Sequence, residues 1–297
     1  MSWFQISFAT SSERAPALSD LLDRLGAQAV TLQDAGEQPI FEPPPGDTPL
    51  WHMTRIVALF GPDTDTSSVL DGLRGCVAPN PLPPHRVEEL ADQAWERVCM
   101  DAFRPMSFGR RLWICPSWSE APGPPAVTVS LDPGLAFGTG SHATTALCLD
   151  WLDGAPVEGA QIIDYGCGSG VLAIAALRLG ARSAWAVDTD PQAWAATLDN
   201  ASRNGVAERL HICAPSDLPR IEADILLANI LASPLIELAP RLAGRIRAGG
   251  AIVLSGILQE QASAIAAAYQ PWFVTDAPAL RDEWSRITGR RKPERSF

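Results

Sequence analysis

Nine consecutive residues, Ile162-Ile163-Asp164-Tyr165-Gly166-Cys167-Gly168-Ser169-Gly170, constrain this chain more than any other stretch. A short apolar run ends in an acid, three glycines alternate, and Val171 to Leu179 continues at helical spacing. That pattern predicts strand, tight turn and helix. Glycines at such a turn let the backbone take positive φ and let a ligand approach closely. The dinucleotide fingerprint asks for a third glycine three residues after the second. Here Gly170 comes two after Gly168, and Val171 stands where that glycine would be. This disfavours an NAD-binding oxidoreductase. The loop suits a ligand with little or no phosphate, such as S-adenosylmethionine, a sulfonium nucleoside with a ribose and a free amino-acid end.

Around this loop the second half alternates strand and helix, which marks a parallel sheet. Strands are expected at 162–164, 184–187, 210–213, 223–228 and 251–255, with helices at 171–179, 190–204, 235–246 and 259–269. Asp190-Pro191 supplies an N-cap and a first-turn proline. Gly249-Gly250 is expected to turn the chain into strand 251–255. Segments 272–275 and 284–288 read as a closing hairpin.

In open parallel sheets, ligands sit outside the carboxyl ends of the strands. Asp164, Asp188 and Asn229 are all expected at that rim. Asp188 ends the strand after the glycine loop, where a carboxylate can accept two hydrogen bonds from a ribose diol. Asp164 is expected to order the glycine loop or to reach the amino-acid end of the ligand through water. Asn229 offers an amide oxygen to an incoming N–H while the nitrogen lone pair faces a methyl group. It is an orienter, not a base. The loop Asp132 to Thr145 holds three glycines and three threonines, so it is rich in hydrogen-bonding groups. Phe137 and Thr139 lie within it; an apolar ring among glycines calls for a flat partner such as adenine. His142 is a candidate proton relay, though a loop histidine is more often a bystander.

Methyl transfer from a sulfonium to an amine is a single displacement, so alignment can supply much of the rate. Deprotonation is the harder demand. An α-amine with a pKa near ~8 is partly neutral at neutral pH, whereas a lysine near ~10.4 is neutral about once in a thousand, a cost of roughly 4 kcal/mol. An apolar pocket lowers an amine's pKa in the helpful direction.

The first 90 residues read differently. Trp3 to Phe8 alternates, Ser12 to Leu25 has helical spacing, and 29–32, 51–60, 66–73 and 86–90 follow as strand, strand, helix and strand. That is the ferredoxin-like order. Residues 1–100 hold 14 acidic side chains against 6 arginines, about −8 of the net −11. Nucleic-acid partners need Lys and Arg on the contact face, so a basic protein partner fits better. The six cysteines show no Cys-x-x-Cys spacing, which suits reduced thiols and predicts no metal site. The mean hydropathy is +0.04, no run reaches the ~20 apolar residues of a membrane span, and the N-terminus lacks a signal core. A cytoplasmic protein, with no membrane association and monomeric, is expected.

With these residues laid out, the chain resembles the PrmA family, bacterial methyltransferases of large-subunit ribosomal protein eleven. The resemblance is strongest in 131–151, 163–180, 188–205, 228–235 and 284–292. The run Asp132-Pro133-Gly134-Leu135-Ala136-Phe137-Gly138-Thr139-Gly140 is its most specific part. Family members usually continue Thr-His-Pro-Thr-Thr; here the residues are Ser141-His142-Ala143-Thr144-Thr145. The resemblance implies an α/β chain: a Rossmann-like, seven-stranded class I methyltransferase domain (105–297) preceded by a small ferredoxin-like α+β substrate-recognition domain (1–90) and joined to it by a flexible linker, where the residues themselves read as a linker helix (91–104) with Trp95, Val98, Cys99 and Ala102 on one face. It implies S-adenosylmethionine held by Thr145, Gly166, Asp188 and Asn229; the reading of the residues adds Asp164, Gly168, Phe137 and Thr139 as candidate cofactor-binding positions. It implies methylation of the α-amine and lysine ε-amines of that ribosomal protein. The alternative is a methyltransferase acting on another protein or a small molecule.

Overall fold

The computed structural model describes residues 2–36, 38, 40, 47–90, 103–132 and 140–293. The chain divides into two compact units, Met1–Val98 and Cys99–Phe297. The segment read as a linker helix lies largely outside the described residues.

In the first unit, β1 (Trp3–Ser11), α1 (Ala15–Arg24), β2 (Ala29–Asp34), β3 (Met53–Phe60), α2 (Thr66–Val77) and β4 (His85–Leu90) follow the expected order. The sheet runs β2-β3-β1-β4, and every pairing is antiparallel. This is the split arrangement of a ferredoxin-like unit. Helix α1 buries Ala15, Leu18 and Leu22, and α2 buries Val69 and Leu73, against Ile6, Phe8, Ile56 and Phe60. Asp65 starts α2 by accepting the Ser67 N–H at 3.0 Å.

The second unit opens with a three-stranded sheet: β5 (Met106–Phe108), β6 (Leu112–Cys115) and β7 (Val127–Ser130). Strand β5 has only three residues, too few for alternation to show in the sequence. The remaining elements are α3 (Ala143–Gly154), β8 (Gln161–Tyr165), α4 (Val171–Arg178), β9 (Ser183–Val187), α5 (Pro191–Arg203), β10 (Leu210–Cys213), β11 (Ala223–Asn229), α6 (Ala232–Ala243), β12 (Ile246–Leu258), α7 (Ala262–Tyr269), β13 (Phe273–Thr275), β14 (Ala279–Arg281) and β15 (Trp284–Arg291). Their sheet runs β10-β9-β8-β11-β12-β15-β13, with β14 paired to β15. The first five strands are parallel, and β15 is antiparallel to both neighbours. Seven strands form the continuous sheet, as expected, and the short β14 adds a hairpin that the sequence reading did not contain.

Neighbouring residues of β8 show why both faces are covered. Ile162 packs with Leu149, Ala173 and Ile174 on one face, and Ile163 packs with Leu235 and Ile265 on the other. Both isoleucines are fully buried, and each such burial stabilises the fold by about 1.5–3 kcal/mol. Strand order reverses between β8 and β11, the switch point at which open α/β sheets hold ligands.

Two expectations need correction. Helix α6 spans Ala232–Ala243, not 235–246: it begins three residues earlier because Ser233 and Pro234 fit a first turn, and it ends earlier because Ile246 opens β12 opposite Ala223. Gly249-Gly250 does not precede a new strand. It lies inside β12, as a bulge that shifts the register between the Ala223–Ile246 and Ile225–Ala251 pairs. Gly249 takes φ +73° there, and a Cβ on Gly250 would sit 2.6 Å from Ile246 Cγ2, 2.9 Å from Arg247 O and 3.0 Å from Asp224 O. Two of those neighbours are backbone and cannot swing away. Gly250→Ala is therefore expected to cost about 1–3 kcal/mol, seen as a lower urea midpoint. Gly154→Ala, where the added carbon meets open space, should leave that midpoint unchanged or slightly raised.

Candidate active site

The glycine loop begins where β8 ends. Gly166, Gly168 and Gly170 have φ of +79°, +52° and +76°, which only glycine adopts without strain. Gly170 is the left-handed residue on which α4 begins. The loop is fastened to the next strand: the Gly166 and Cys167 amides donate to Val187 O at 2.7 and 3.1 Å. The Gly168 amide donates to Asp188 Oδ2 at 3.0 Å, and the Asp190 amide donates to Asp188 Oδ1 at 3.1 Å. Helix α5 holds the far side, with Thr197 Oγ1 donating to Gly168 O and Asn200 Nδ2 donating to Ser169 O, both at 2.9 Å. Asp190, not Asp188, caps α5 by accepting the Gln192 amide at 2.8 Å. Asp188 is therefore not needed as a helix cap.

Asp164 is fully buried beneath this loop. Its Oδ2 accepts the Ala173 amide at 3.0 Å from the first turn of α4, and its Oδ1 has no partner. Burial pushes its pKa up to about 7, the Ala173 bond pulls the other way, and the charge of Asp188 adds a smaller upward push.

Asn229 is the last residue of β11, one step past the Ala228–Tyr165 pair that aligns β11 with β8. Its Nδ2 donates to Thr145 Oγ1 at 3.2 Å. Thr145 is buried in the first turn of α3. The N-cap of α6 is Leu231, so Asn229 is not a helix cap. A cavity of about 400 Å³ opens beside Asn229, walled by His142, Thr144, Ile230, Leu231, Gly256 and Trp284. Its lining is mainly apolar. His142 caps α3: its Nδ1 accepts the Thr144 amide at 3.3 Å and lies 2.8 Å from Thr144 Oγ1. The ring meets Trp284 edge-on at 4.9 Å between centroids. Burial lowers the histidine's pKa, so the imidazole is neutral at neutral pH. With Nδ1 accepting, its proton sits on Nε2. The lone pair of Nδ1, the ring's acceptor, is thus committed to the helix, which argues against the relay role.

The structure brings Asp164, Gly166, Gly168, Asp188, Thr145 and Asn229 to one rim of the sheet. Phe137 and Thr139 lie outside the described residues. The segment leading to them is anchored: Ser130 exchanges two hydrogen bonds with the Asn204 amide at 2.7 and 2.8 Å, and Asp132 pairs with Arg203 at 2.7 Å. Sequence reasoning missed Ile230, Gly256 and Trp284 as walls of the site. Only Gly256 carried a signal, an isolated glycine in an apolar strand. Among the described residues no group of His, Cys, Asp or Glu is arranged to hold a metal, and no helix is long and apolar enough to cross a membrane.

A doubly wound sheet with this loop at its switch point defines a Rossmann-like class I methyltransferase. Residues 2–292 match the family model of ribosomal protein L11 methyltransferase (PrmA), and the chain belongs to that family. It is 55% identical over 295 residues to a Pseudomonas aeruginosa protein described as ribosomal protein L11 methyltransferase, covering 99% of this chain and 100% of that one. An Azotobacter vinelandii protein of the same description is 55% identical over 293 residues, covering 98% and 100%. A crystal structure of ribosomal protein L11 methylase from Lactobacillus delbrueckii subsp. bulgaricus superposes with a TM-score of 0.59 at 32% identity, over 64% of this chain and 100% of that one. The methyl donor of this class is S-adenosylmethionine.

The buried carboxyl carries a pH signature. Asp164's folded value, about 7, lies above its unfolded value near ~3.9. Its contribution to stability is therefore fully present below pH ~4 and is lost as pH rises to about 7, at up to about 1.4 kcal/mol per pH unit. In Asp164→Asn the stability relative to wild type should rise over that window and stay level above it. Urea midpoints taken from pH 4 to 9 check this; a flat difference would show that burial leaves the carboxyl near its ordinary value.

Proposed function

We propose that this chain transfers methyl groups from S-adenosylmethionine to the α-amine and lysine ε-amines of ribosomal protein L11, in the cytoplasm. The observation that carries this reading is the Asn229 amide, bonded to Thr145 and standing between the glycine loop and an apolar cavity.

The residues present fit the donor. Asp188 is a carboxylate at the end of β9, oriented by the Gly168 and Asp190 amides, and its remaining lone pairs suit ribose hydroxyls. Gly166 and Gly168 supply the left-handed path that bends the main chain round the donor's side of the loop. Asp164 Oδ1, buried and unpartnered, lies under the loop and suits a polar group or a bridging water from the amino-acid end. When bound, the donor supplies a methyl carbon made electrophilic by its sulfonium. The neutral amine oriented by Asn229 would take that methyl, the N–C bond forming as the S–C bond gave way to a neutral thioether, and the amine's extra proton would leave to solvent.

What the chain contributes is alignment and dehydration. The Asn229 amide keeps its acceptor oxygen for the N–H of the amine, which directs the lone pair at the methyl group. The apolar walls from Ile230, Leu231 and Trp284 favour the neutral amine over the ammonium, offsetting part of the roughly 4 kcal/mol a lysine needs at neutral pH. The ferredoxin-like unit, with its acidic surplus, is the part we assign to recognition of a basic protein.

Purified chain incubated with S-adenosylmethionine carrying a labelled methyl group should label free ribosomal protein L11. Tight binding of the donor with no label in that protein would remove the proposed substrate. Asp188→Ala should weaken donor binding by about 1.5–3 kcal/mol, the worth of hydrogen bonds to a charged group. Asn229→Ala should lower turnover by a larger factor than it lowers donor affinity; calorimetry beside steady-state kinetics separates the two, and an effect on affinity alone would refute the orienting role.

A further inference from the structure

Ile230 is held on both sides by glycines, one in the loop after β8 and one in β12. A Cβ on Gly166, in the glycine loop after β8, would collide with Ile230 Cγ2. A Cβ on Gly256, at the bulge of β12 where φ is +82°, would lie 2.5 Å from Ile230 O, 2.9 Å from Ile230 C and 3.0 Å from Ile230 N. The side chain of Ile230 thus rests directly on the donor loop, and its main chain rests directly on the neighbouring strand. The same residue lines the cavity beside Asn229 and packs against the buried cluster that contains Tyr165.

Register makes this contact possible. Tyr165 is opposite Ala228 and Ser255 is opposite Asn229, so Gly166 and Gly256 flank the turn that follows Asn229. The bulge between Leu254 and Ile257 brings the Gly256 main chain against that turn. The β8–β11 ladder fixes the two strand ends, and beyond it Ile230 is the side chain packed between the glycine loop and the turn.

We propose that Ile230 is a positioning residue for methyl transfer, a spacer that fixes the distance between the donor loop at Gly166 and the acceptor-orienting amide of Asn229. This rests on the reading of Asn229 given above. Displacement of aligned reactants by about 1 Å costs on the order of a hundredfold in rate, so a lost spacer should act on turnover before it acts on binding. The branched methyl at Cγ2 is the part that touches the loop; Ile230→Val keeps a γ-methyl there and Ile230→Ala removes it.

The test compares wild type, Ile230→Ala, Ile230→Val, Gly166→Ala and the Gly166→Ala/Ile230→Ala double variant. Donor affinity is read by calorimetry, kcat and KM by methyl transfer to ribosomal protein L11, and folding by Tm. Ile230→Ala should lower kcat about tenfold or more while donor affinity stays within about threefold, and Ile230→Val should retain most of the turnover. Gly166→Ala should lose donor affinity, and the double variant should regain part of it because the colliding methyl is gone. Unchanged kcat in Ile230→Ala would overturn the spacer. So would a kcat loss that simply tracks the fraction of protein binding donor, the signature of partial unfolding. A wild type that binds no donor or labels no L11 would instead defeat the proposed function, which separates the two failures.

Discussion

The parallel pairing of β8 with β11, with Tyr165 opposite Ala228, governs where every part of the site falls. At this switch point the helices after the two strands leave for opposite faces of the sheet, so the rim between them stays open. The glycine loop leaves one strand end and Asn229 closes the other. A one-residue slip would turn each strand's side chains to the wrong face. The cost would fall on Asp164, turned away from the Ala173 amide it accepts and into the apolar layer on the opposite face. Core packing and site geometry are thus held by the same register.

Upon that register the loop is stiffened from three directions. Val187 and Asp188 take its amides, Thr197 and Asn200 take its carbonyls, and Ile230 fills the space over Gly166. Most of these bonds involve main chain, so a ligand would meet a preformed surface instead of organising one. Preformed sites spare the ordering cost of binding. The buried Asp164 is the exception to an otherwise satisfied network, with one oxygen unpartnered. A buried carboxyl with an orphan oxygen is a destabilising feature by itself, and this one is held beneath the loop by the Ala173 amide.

Much of this was legible from residue order. The alternation of strands and helices, the capping by Asp190, the end of α5 near Asn204-Gly205 and the ferredoxin-like order of the first unit all follow from local signals, and the structure shows each of them. The local signals failed where a feature depended on a distant partner. Gly249-Gly250 has the composition of a turn, yet contact with Asp224 makes it a bulge within one long strand. Strands β5 and β14, three residues each, owe their existence to the strands beside them and carry no periodicity of their own.

The sequence by itself determined the class of fold, the bare glycine turn and the acid that follows it, because these are set by backbone conformation and by spacing along one strand–loop–helix unit. Only the tertiary structure decided the acceptor side. Asn229 meets Thr145 across 84 positions of chain, and the cavity beside it draws its walls from His142, Ile230, Gly256 and Trp284. Contacts of that kind depend on sheet register and on how helices pack across it, and neither quantity is written in any single segment.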